Sequence, residues 1–148
     1  DAYRVTFHDS CNPARAMGLF EEPRSIISHV CNHFHEMAED TIREKTLCCG
    51  SGAGLGNDEN MEMRMRGGMP RAMAVKAVRE KHGVNRLACM CAIDRATLSS
   101  LMDYWVPGVT VTGVHELLAN ALVMRGEKER TTDLRGEPLG GKKGDETV

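Results

Sequence analysis

The chain has 148 residues, enough for one domain with its own core. Its formal net charge is −2, and Lys and Arg are scattered among Asp and Glu, which argues against nucleic-acid binding through phosphate neutralisation. No apolar run approaches the roughly 20 residues that cross a bilayer, and we expect no secretory leader. Because a strand pattern follows soon after Asp1, we expect a piece of a longer protein.

Short β-type runs alternate with helical patterns along the chain. This predicts an α/β fold, with a mostly parallel sheet of about four strands and helices on both faces. Strand patterns occur at residues 3–7, 34–37, 45–47, 86–90 and 109–111. Helical patterns follow Asn12-Pro13, Glu21-Glu22-Pro23, Asn57-Asp58, Pro70, Cys91 and the last strand. Ile26, Ile27 and Val30 have core-facing spacing, and Gly67-Gly68 is expected to interrupt the helix that precedes Pro70.

Composition changes after the last helical pattern. From Arg125 onward, charges of both signs dominate and large aliphatic side chains are few. Such a segment cannot bury enough apolar surface to offset its ordering entropy. We expect residues 1–124 to form the cysteine-rich domain and residues 125–148 to be a charged tail, disordered or ordered only on a partner.

Six cysteines without a secretory leader predict a reducing compartment, where thiols serve metals or redox chemistry rather than disulfides. Five of them follow predicted strands: Cys11, the pair Cys48 and Cys49, and the pair Cys89 and Cys91. Ligands of α/β sheets bind outside the carboxyl ends of the strands, so these sulfurs are expected to converge there. Adjacent thiolates suit neighbouring irons of a cluster better than one zinc ion, and zinc is the alternative.

Glycines alternate with other residues directly after the adjacent cysteines. Gly50 and Gly52 are predicted to bring backbone close to an inorganic cofactor and to direct N–H donors at its sulfides. A flexible loop is the alternative. A dinucleotide fingerprint does not fit, because Leu55 stands where glycine or alanine is needed, and there is no P-loop lysine.

Several motifs resemble one family. His8-Asp9-Ser10-Cys11, Cys48-Cys49-Gly50 and Cys89-Met90-Cys91 resemble the cysteine-rich CCG domain found in the B-type subunit of heterodisulfide reductase and in its relatives, over about residues 3–124. More narrowly, the runs 8–15, 64–68 and 89–97 are similar to the DsrK subunit of the membrane complex DsrMKJOP of dissimilatory sulfur metabolism.

The resemblance implies a non-cubane 4Fe–4S cluster that reduces or forms a disulfide-type bond. The implied ligands are Cys11, Cys48, Cys49, Cys89 and Cys91. The implied substrate is a DsrC-like sulfur-carrier protein with a disulfide or trisulfide on its cysteines. Implied partners are membrane-complex subunits, including a quinol-oxidising cytochrome b type, which would hold the domain at the cytoplasmic side of the inner membrane. The chain has no ferredoxin-like C-x2-C-x2-C runs, which fits a C-terminal piece.

One spacing departs from the family pattern. The family has C-x-x-C, whereas Met90 alone separates Cys89 from Cys91, so their side chains point to opposite sides if the strand continues. Either the chain turns there or one of the two is not a ligand. Cys31 is the substitute, although by itself it resembles a small buried helix residue.

Other polar and sulfur side chains have open alternatives. His8 and the neighbouring Cys11 form the candidate catalytic set, because a leaving thiol needs a proton that histidine can supply. A histidine at a strand end is also often only hydrogen-bonded to backbone, and His115 shares this placement. Five methionines are either core filler or an adaptable docking surface: Met61, Met63, Met65, Met69 and Met73. The nearby Arg64, Arg66 and Arg71 either line a solvated helix face or attract an acidic partner tail.

The favoured interpretation is an oxidoreductase domain that receives electrons one at a time and delivers them to a sulfur–sulfur bond. A non-catalytic electron-transfer module and a zinc-stapled interaction domain are the alternatives.

Overall fold

A parallel sheet lies at the centre of the chain. The structure is a computed structural model and describes residues 2–52, 54–128 and 130–139. Strands β1 (Val5–Phe7), β2 (Arg86–Cys89) and β3 (Thr110–Gly113) pair in the order β1-β2-β3. Val5 also makes a single parallel bridge to Phe34. The predicted α/β fold is confirmed, with three strands and this bridge in place of about four strands.

Helices cover both faces of the sheet, as predicted. They are α1 (Glu21–Val30), α2 (Met61–His82), α3 (Ala92–Trp105) and α4 (Val114–Ala121). One buried cluster contains Ile27 of α1 and Leu117 of α4, and the other contains Val75 of α2 and Leu101 of α3. Among the described helices, none combines the length and apolar character that a membrane span needs.

The side chains of β2 divide between the two core clusters. Leu87 and Cys89 pack under α2 and α3, whereas Ala88 packs under α1 and α4. This alternation is the two-residue period of a strand, and all three residues are at most 1% exposed. Cys89 therefore lies on the α2/α3 face of the sheet.

Helix α2 runs without a break through Gly67-Gly68 and Pro70, so the predicted interruption is wrong. A Cβ on Gly68 would lie 2.8 Å from Cδ2 of Leu101 and 3.0 Å from the carbonyl oxygen of Cys49. The glycine thus lets α2 pack closely against α3 and against the loop that carries Cys49. This packing outweighs the low helix propensity of glycine.

Part of the predicted tail contacts the sheet. The hydroxyl of Tyr3 donates to Asp133, and Arg86 of β2 forms an ion pair with Glu137 at 2.5 Å. Burial, and then the hydrogen bond to Asp133, raise the pKa of Tyr3 to about 12. The sequence analysis did not predict these contacts. Residues 129 and 140–148 lie outside the described residues, and the boundary after residue 124 stays a prediction.

Candidate functional site

The carboxyl ends of β1 and β2 frame a crevice. The chain leaves β1 through α1 towards the Phe34 bridge, and it leaves β2 through α3 towards β3 on the other side. Where strand connections diverge in this way, α/β sheets bind their ligands. Cys11 lies four residues beyond β1, Cys89 ends β2, and Cys91 immediately precedes α3. We call this region, bounded by residues 8–11 and 89–94, the switch crevice.

The adjacent cysteines lie in a loop of residues 46–52, which we call the CCG loop. The strand predicted at residues 45–47 is wrong, because a 3-10 turn occupies Arg43–Lys45 and no strand follows it. The backbone N–H of Arg43 donates to Asp9 Oδ2 at 2.9 Å instead of to a neighbouring strand. Cys49 belongs to the same buried cluster as Cys89. The CCG loop therefore meets β2 on the α2/α3 face.

One carboxylate, Asp94 in the first turn of α3, acts on both buried cysteines. Burial, and then Asp94, raise the pKa of the Cys49 thiol to about 12. The pKa of Cys89 is likewise raised to about 12, first by burial and then by Asp94. Both thiols therefore keep their protons at neutral pH in the metal-free chain, and a metal that used them as ligands would have to displace those protons.

His8 contacts Asp94 across the switch crevice. Its Nε2 lies 3.4 Å from Asp94 Oδ2, and the residue is 1% exposed. Burial lowers the pKa of His8. Burial acts to raise the pKa of Asp94, but contacts with His8, Cys49 and Ser10 outweigh it and lower that pKa to about 2. A neutral His8 thus faces an ionised Asp94, and no described residue hydrogen-bonds its Nδ1.

Sequence reasoning did not identify Asp94 as a site residue. An acidic residue in the first turn of a helix is explained by the helix dipole alone. The available signal was its position three residues after Cys91, which puts a carboxylate on the turn that faces the cysteines.

The two glycines predicted to bind a cofactor differ in their surroundings. Gly50 has φ +90°, and a Cβ there would overlap the carbonyl oxygen of Arg64 and lie 3.0 Å from the amide of Gly68. Its own N–H donates to Cys48 Sγ at 3.3 Å, the kind of hydrogen bond that tunes an iron–sulfur ligand. A Cβ on Gly52 would meet nothing within 4 Å. Only Gly50 is required by the way the CCG loop crosses α2.

Cys31 is separated from the other cysteines. It follows the last residue of α1 and packs in the core cluster under α1 and α4, on the face opposite Cys49 and Cys89. Burial raises its pKa to about 11. Its placement does not support Cys31 as a substitute for Cys89 or Cys91.

The remaining cysteines fit an iron–sulfur cluster in their donor chemistry. All are free thiols; Cys11 and Cys48 are exposed, Cys91 is partly exposed, and the other two are buried. Each iron of a cluster takes its own cysteine, so the ligands need not meet at one point. Within the described ranges, no three His, Cys, Asp or Glu side chains are arranged to hold a single metal ion. The fit rests on free thiols that two adjoining loops and β2 bring to one end of the sheet.

An apolar groove of about 280 Å³ opens beside the switch crevice. It includes Met90, which separates Cys89 from Cys91, and Ile26, which was predicted to face the core but is 38% exposed. The other lining residues are Leu19, Glu22, Pro23, Val114, His115 and Leu118. Apolar side chains thus stay accessible next to the cysteines.

Comparisons with known proteins agree with these features. The family model of the CCG cysteine-rich domain matches residues 5–92. The chain is 52% identical over 143 residues to the Hdr-like menaquinol oxidoreductase iron-sulfur subunit 2 of Archaeoglobus fulgidus, covering 94% of this chain and 26% of that protein. It is 50% identical over 143 residues, with the same coverage, to the Hdr-like menaquinol oxidoreductase iron-sulfur subunit of Archaeoglobus profundus.

A more distant relative is the D-type subunit of the dihydromethanophenazine:CoB–CoM heterodisulfide reductase of Methanosarcina barkeri. The chain is 32% identical to it over 124 residues, which cover 80% of this chain and 27% of that protein. The chain therefore spans about a quarter of the length of these relatives. No solved structure matches the chain significantly. The family match over residues 5–92 includes all five predicted ligand cysteines and the switch crevice up to the start of α3. Because the match covers more than half of the chain, the chain belongs to the CCG cysteine-rich domain family.

Proposed function

We propose that this domain holds a non-cubane 4Fe–4S cluster and forms part of an oxidoreductase. The enzyme would reduce or form a disulfide or trisulfide on a small DsrC-like sulfur-carrier protein. One observation carries the proposal: Cys49 and Cys89, from segments far apart in sequence, lie around Asp94 at the crevice where α/β sheets bind ligands.

The proposed ligands divide by exposure. Cys49 and Cys89 form the buried part of the site, while Cys11, Cys48 and Cys91 are open to solvent to different degrees. The N–H of Gly50 supports the Cys48 sulfur, and Gly52 is proposed only as a second backbone donor. When bound, the cluster supplies one-electron chemistry for making or breaking sulfur–sulfur bonds.

Reduction of a disulfide takes two electrons and two protons and gives two thiols. Cys11 is exposed and lies on the open side of the switch crevice, which supports its place in the catalytic set. His8 is proposed as the proton donor. Because His8 is buried, its proton is proposed to reach the cysteines through Asp94. Because burial lowers the pKa of His8, it must first take up a proton before it can donate one, and the ionised Asp94, whose Oδ2 lies 3.4 Å from its Nε2, favours that charged form.

The proposed partners come from the relatives. Those relatives are named as parts of a menaquinol oxidoreductase in Archaeoglobus and of heterodisulfide reductase in Methanosarcina. We propose that this chain also works in a membrane complex with a quinol-oxidising component of cytochrome b type, at the cytoplasmic side of the inner membrane.

The first test is the amount of iron, acid-labile sulfide and zinc per chain after anaerobic reconstitution. We expect about four irons and four sulfides with little zinc. Cys48→Ser is expected to lose the cluster, because a serine hydroxyl is a poor iron ligand. Cys31→Ser is the matched control and should load as the wild type does, because Cys31 lies on the opposite face. Full loading of Cys48→Ser would remove this residue from the ligand set, and zinc near one per chain without sulfide would replace the cluster by a structural ion.

A second prediction concerns docking of the sulfur-carrier protein. Leu118 lines the apolar groove and is 38% exposed, so Leu118→Glu should leave the fold and the iron content unchanged. Loss of one apolar contact is expected to raise the KM for the carrier about tenfold. Met63→Glu is the control, because Met63 is 59% exposed on α2, on the other face of the sheet. Equal KM values for both variants would show that the carrier does not use the groove.

Burial also favours one alternative, a non-catalytic electron-transfer module. His8 and Cys89 are each 1% exposed, which suits a cluster that passes electrons onward without touching substrate. A reduced, cluster-loaded sample should react with a disulfide or trisulfide substrate if the first proposal holds, and should transfer electrons only to a redox partner if the alternative holds.

A further inference from the structure

One hydroxyl group joins the two loops that carry the exposed cysteines. Thr46 is 1% exposed, and its Oγ1 donates to the backbone carbonyl of Asp9 at 2.7 Å. Thr46 lies two residues before Cys48, and Asp9 lies two residues before Cys11. This buried hydrogen bond therefore connects the segment before Cys11 to the segment before Cys48, in addition to the bond from the Arg43 N–H to the Asp9 carboxylate.

Arg71 of α2 fixes the direction of that hydrogen bond. Its Nη2 donates to Thr46 Oγ1 at 2.9 Å and to the carbonyl of Thr41 at 2.6 Å. A hydroxyl has one proton, so an oxygen that accepts from Arg71 must donate its own proton to Asp9. Arg71 is 0% exposed, and among the described residues no carboxylate lies within ion-pair distance of it. Its rigid guanidinium therefore serves as a fixed donor behind Thr46.

The Cys11 loop holds the same segment at a second point. Arg15, four residues beyond Cys11, donates to the carbonyls of Glu44 at 2.9 Å and Thr46 at 2.5 Å. Asp9 before Cys11 and Arg15 after it therefore both hydrogen-bond to residues 44–46, which lead into Cys48. These contacts are polar and directional, so they set a separation that apolar packing alone would leave loose.

We propose that Thr46 is a positioning residue that sets the placement of Cys11 relative to Cys48 and Cys49. This inference depends on the proposed function, because the placement of Cys11 relative to Cys48 and Cys49 matters only if these cysteines bind a cluster. Its test uses the metal-free chain and does not require that a cluster binds. Thr46 touches no sulfur in this role. It acts by holding residues 8–11 and 43–49 together before any metal binds.

The test compares Thr46→Val with Thr46→Ser and with Thr6→Val in the metal-free full chain. Valine keeps the shape of threonine and removes the hydroxyl, serine keeps the hydroxyl, and Thr6 is a fully buried threonine whose hydroxyl has no partner among the described residues. The readout is amide hydrogen exchange in residues 8–11 and 43–49. We expect about tenfold faster exchange in both segments for Thr46→Val, and less than about twofold change for the two other variants.

Arg15→Met provides a second route to the same answer, because Arg15 is exposed and its replacement leaves the core intact. It should loosen the same two segments by about threefold. After reconstitution, Thr46→Val should bind less iron or give an altered electron paramagnetic resonance spectrum, and Thr46→Ser should restore both.

Unchanged exchange in Thr46→Val and Arg15→Met would overturn the inference, whatever the metal content. If the wild-type chain binds no iron, the proposed function fails, and the exchange data still decide whether Thr46 holds the loops together.

Discussion

Gly50→Ala is expected to destabilise the metal-free chain by about 2–5 kcal/mol and to prevent cluster loading. Gly50 has φ +90°, a conformation that costs alanine strain. The added Cβ would also overlap the carbonyl oxygen of Arg64 in the backbone of α2, which cannot rotate away as a side chain could. The CCG loop must therefore leave α2, and Cys49 leaves the switch crevice with it. Urea unfolding of the metal-free chain measures the first effect, and iron content after reconstitution measures the second.

Gly52→Ala is the matched control for this substitution. A Cβ there meets nothing within 4 Å, so we expect a change in stability below about 0.5 kcal/mol and normal loading. If Gly50→Ala and Gly52→Ala lose iron content to a similar extent, the loop needs glycine at both positions for its cofactor and not for its contact with α2. Wild-type stability in Gly50→Ala would show that the loop crosses α2 differently.

Asp9→Asn is expected to cost about 3–5 kcal/mol of folding free energy. Asp9 is 1% exposed, and its two carboxylate oxygens each accept a hydrogen bond of 2.7 Å from the guanidinium of Arg24. An asparagine keeps one acceptor and turns an amide group towards the guanidinium. Arg24 would then remain buried with much of its charge uncompensated. Thermal and urea unfolding of the metal-free chain measure the cost.

Glu36→Gln is the control for Asp9→Asn, because Glu36 is the second carboxylate on Arg24 and its side chain is 33% exposed. Solvent screens this pair, so its loss should cost no more than about 1 kcal/mol. Equal costs for the two substitutions would mean that burial of Asp9 does not strengthen its ion pair with Arg24.

The sequence predicted those parts of the fold in which local pattern and burial agree. The helical pattern after the last strand, which became α4, and the strand pattern at residues 86–90, which became β2, each match the observed elements within a few residues. The placement of cysteines after β1 and β2 followed from the same alternation. These predictions succeeded because the period of apolar residues directly reflects the face that an element buries.

Predictions failed where distant contacts override local propensity. Gly67-Gly68 is typical of a helix end, yet α2 continues because Gly68 fits under Leu101. Arg71 was open between a solvated helix face and the attraction of an acidic partner tail, yet it is fully buried, and its guanidinium donates to the carbonyl of Thr41 and the hydroxyl of Thr46. Single-sequence patterns carry no information about partners that lie 25 or 30 residues away.

The role of Asp94 was missed for a related reason. Its identity and position are normal for a helix start, and only the folded chain shows that Cys49 approaches it from another segment.

The sequence left open whether the methionines of α2 lie in the core or at the surface. Four of the five, Met61, Met63, Met69 and Met73, are exposed, which leaves them available for contacts outside this domain.

The unequal exposure of the cysteines affects how the domain survives without its metal. Oxidants and alkylating agents reach thiols at the surface before they reach thiols in the core. Cys49 and Cys89 are shielded inside the core, whereas Cys11 and Cys48 stand in solvent. In the metal-free chain, reversible oxidation is therefore expected first at Cys11 and Cys48, where a reductant can reach the sulfur and restore the thiol, while Cys49 and Cys89 stay reduced inside the core.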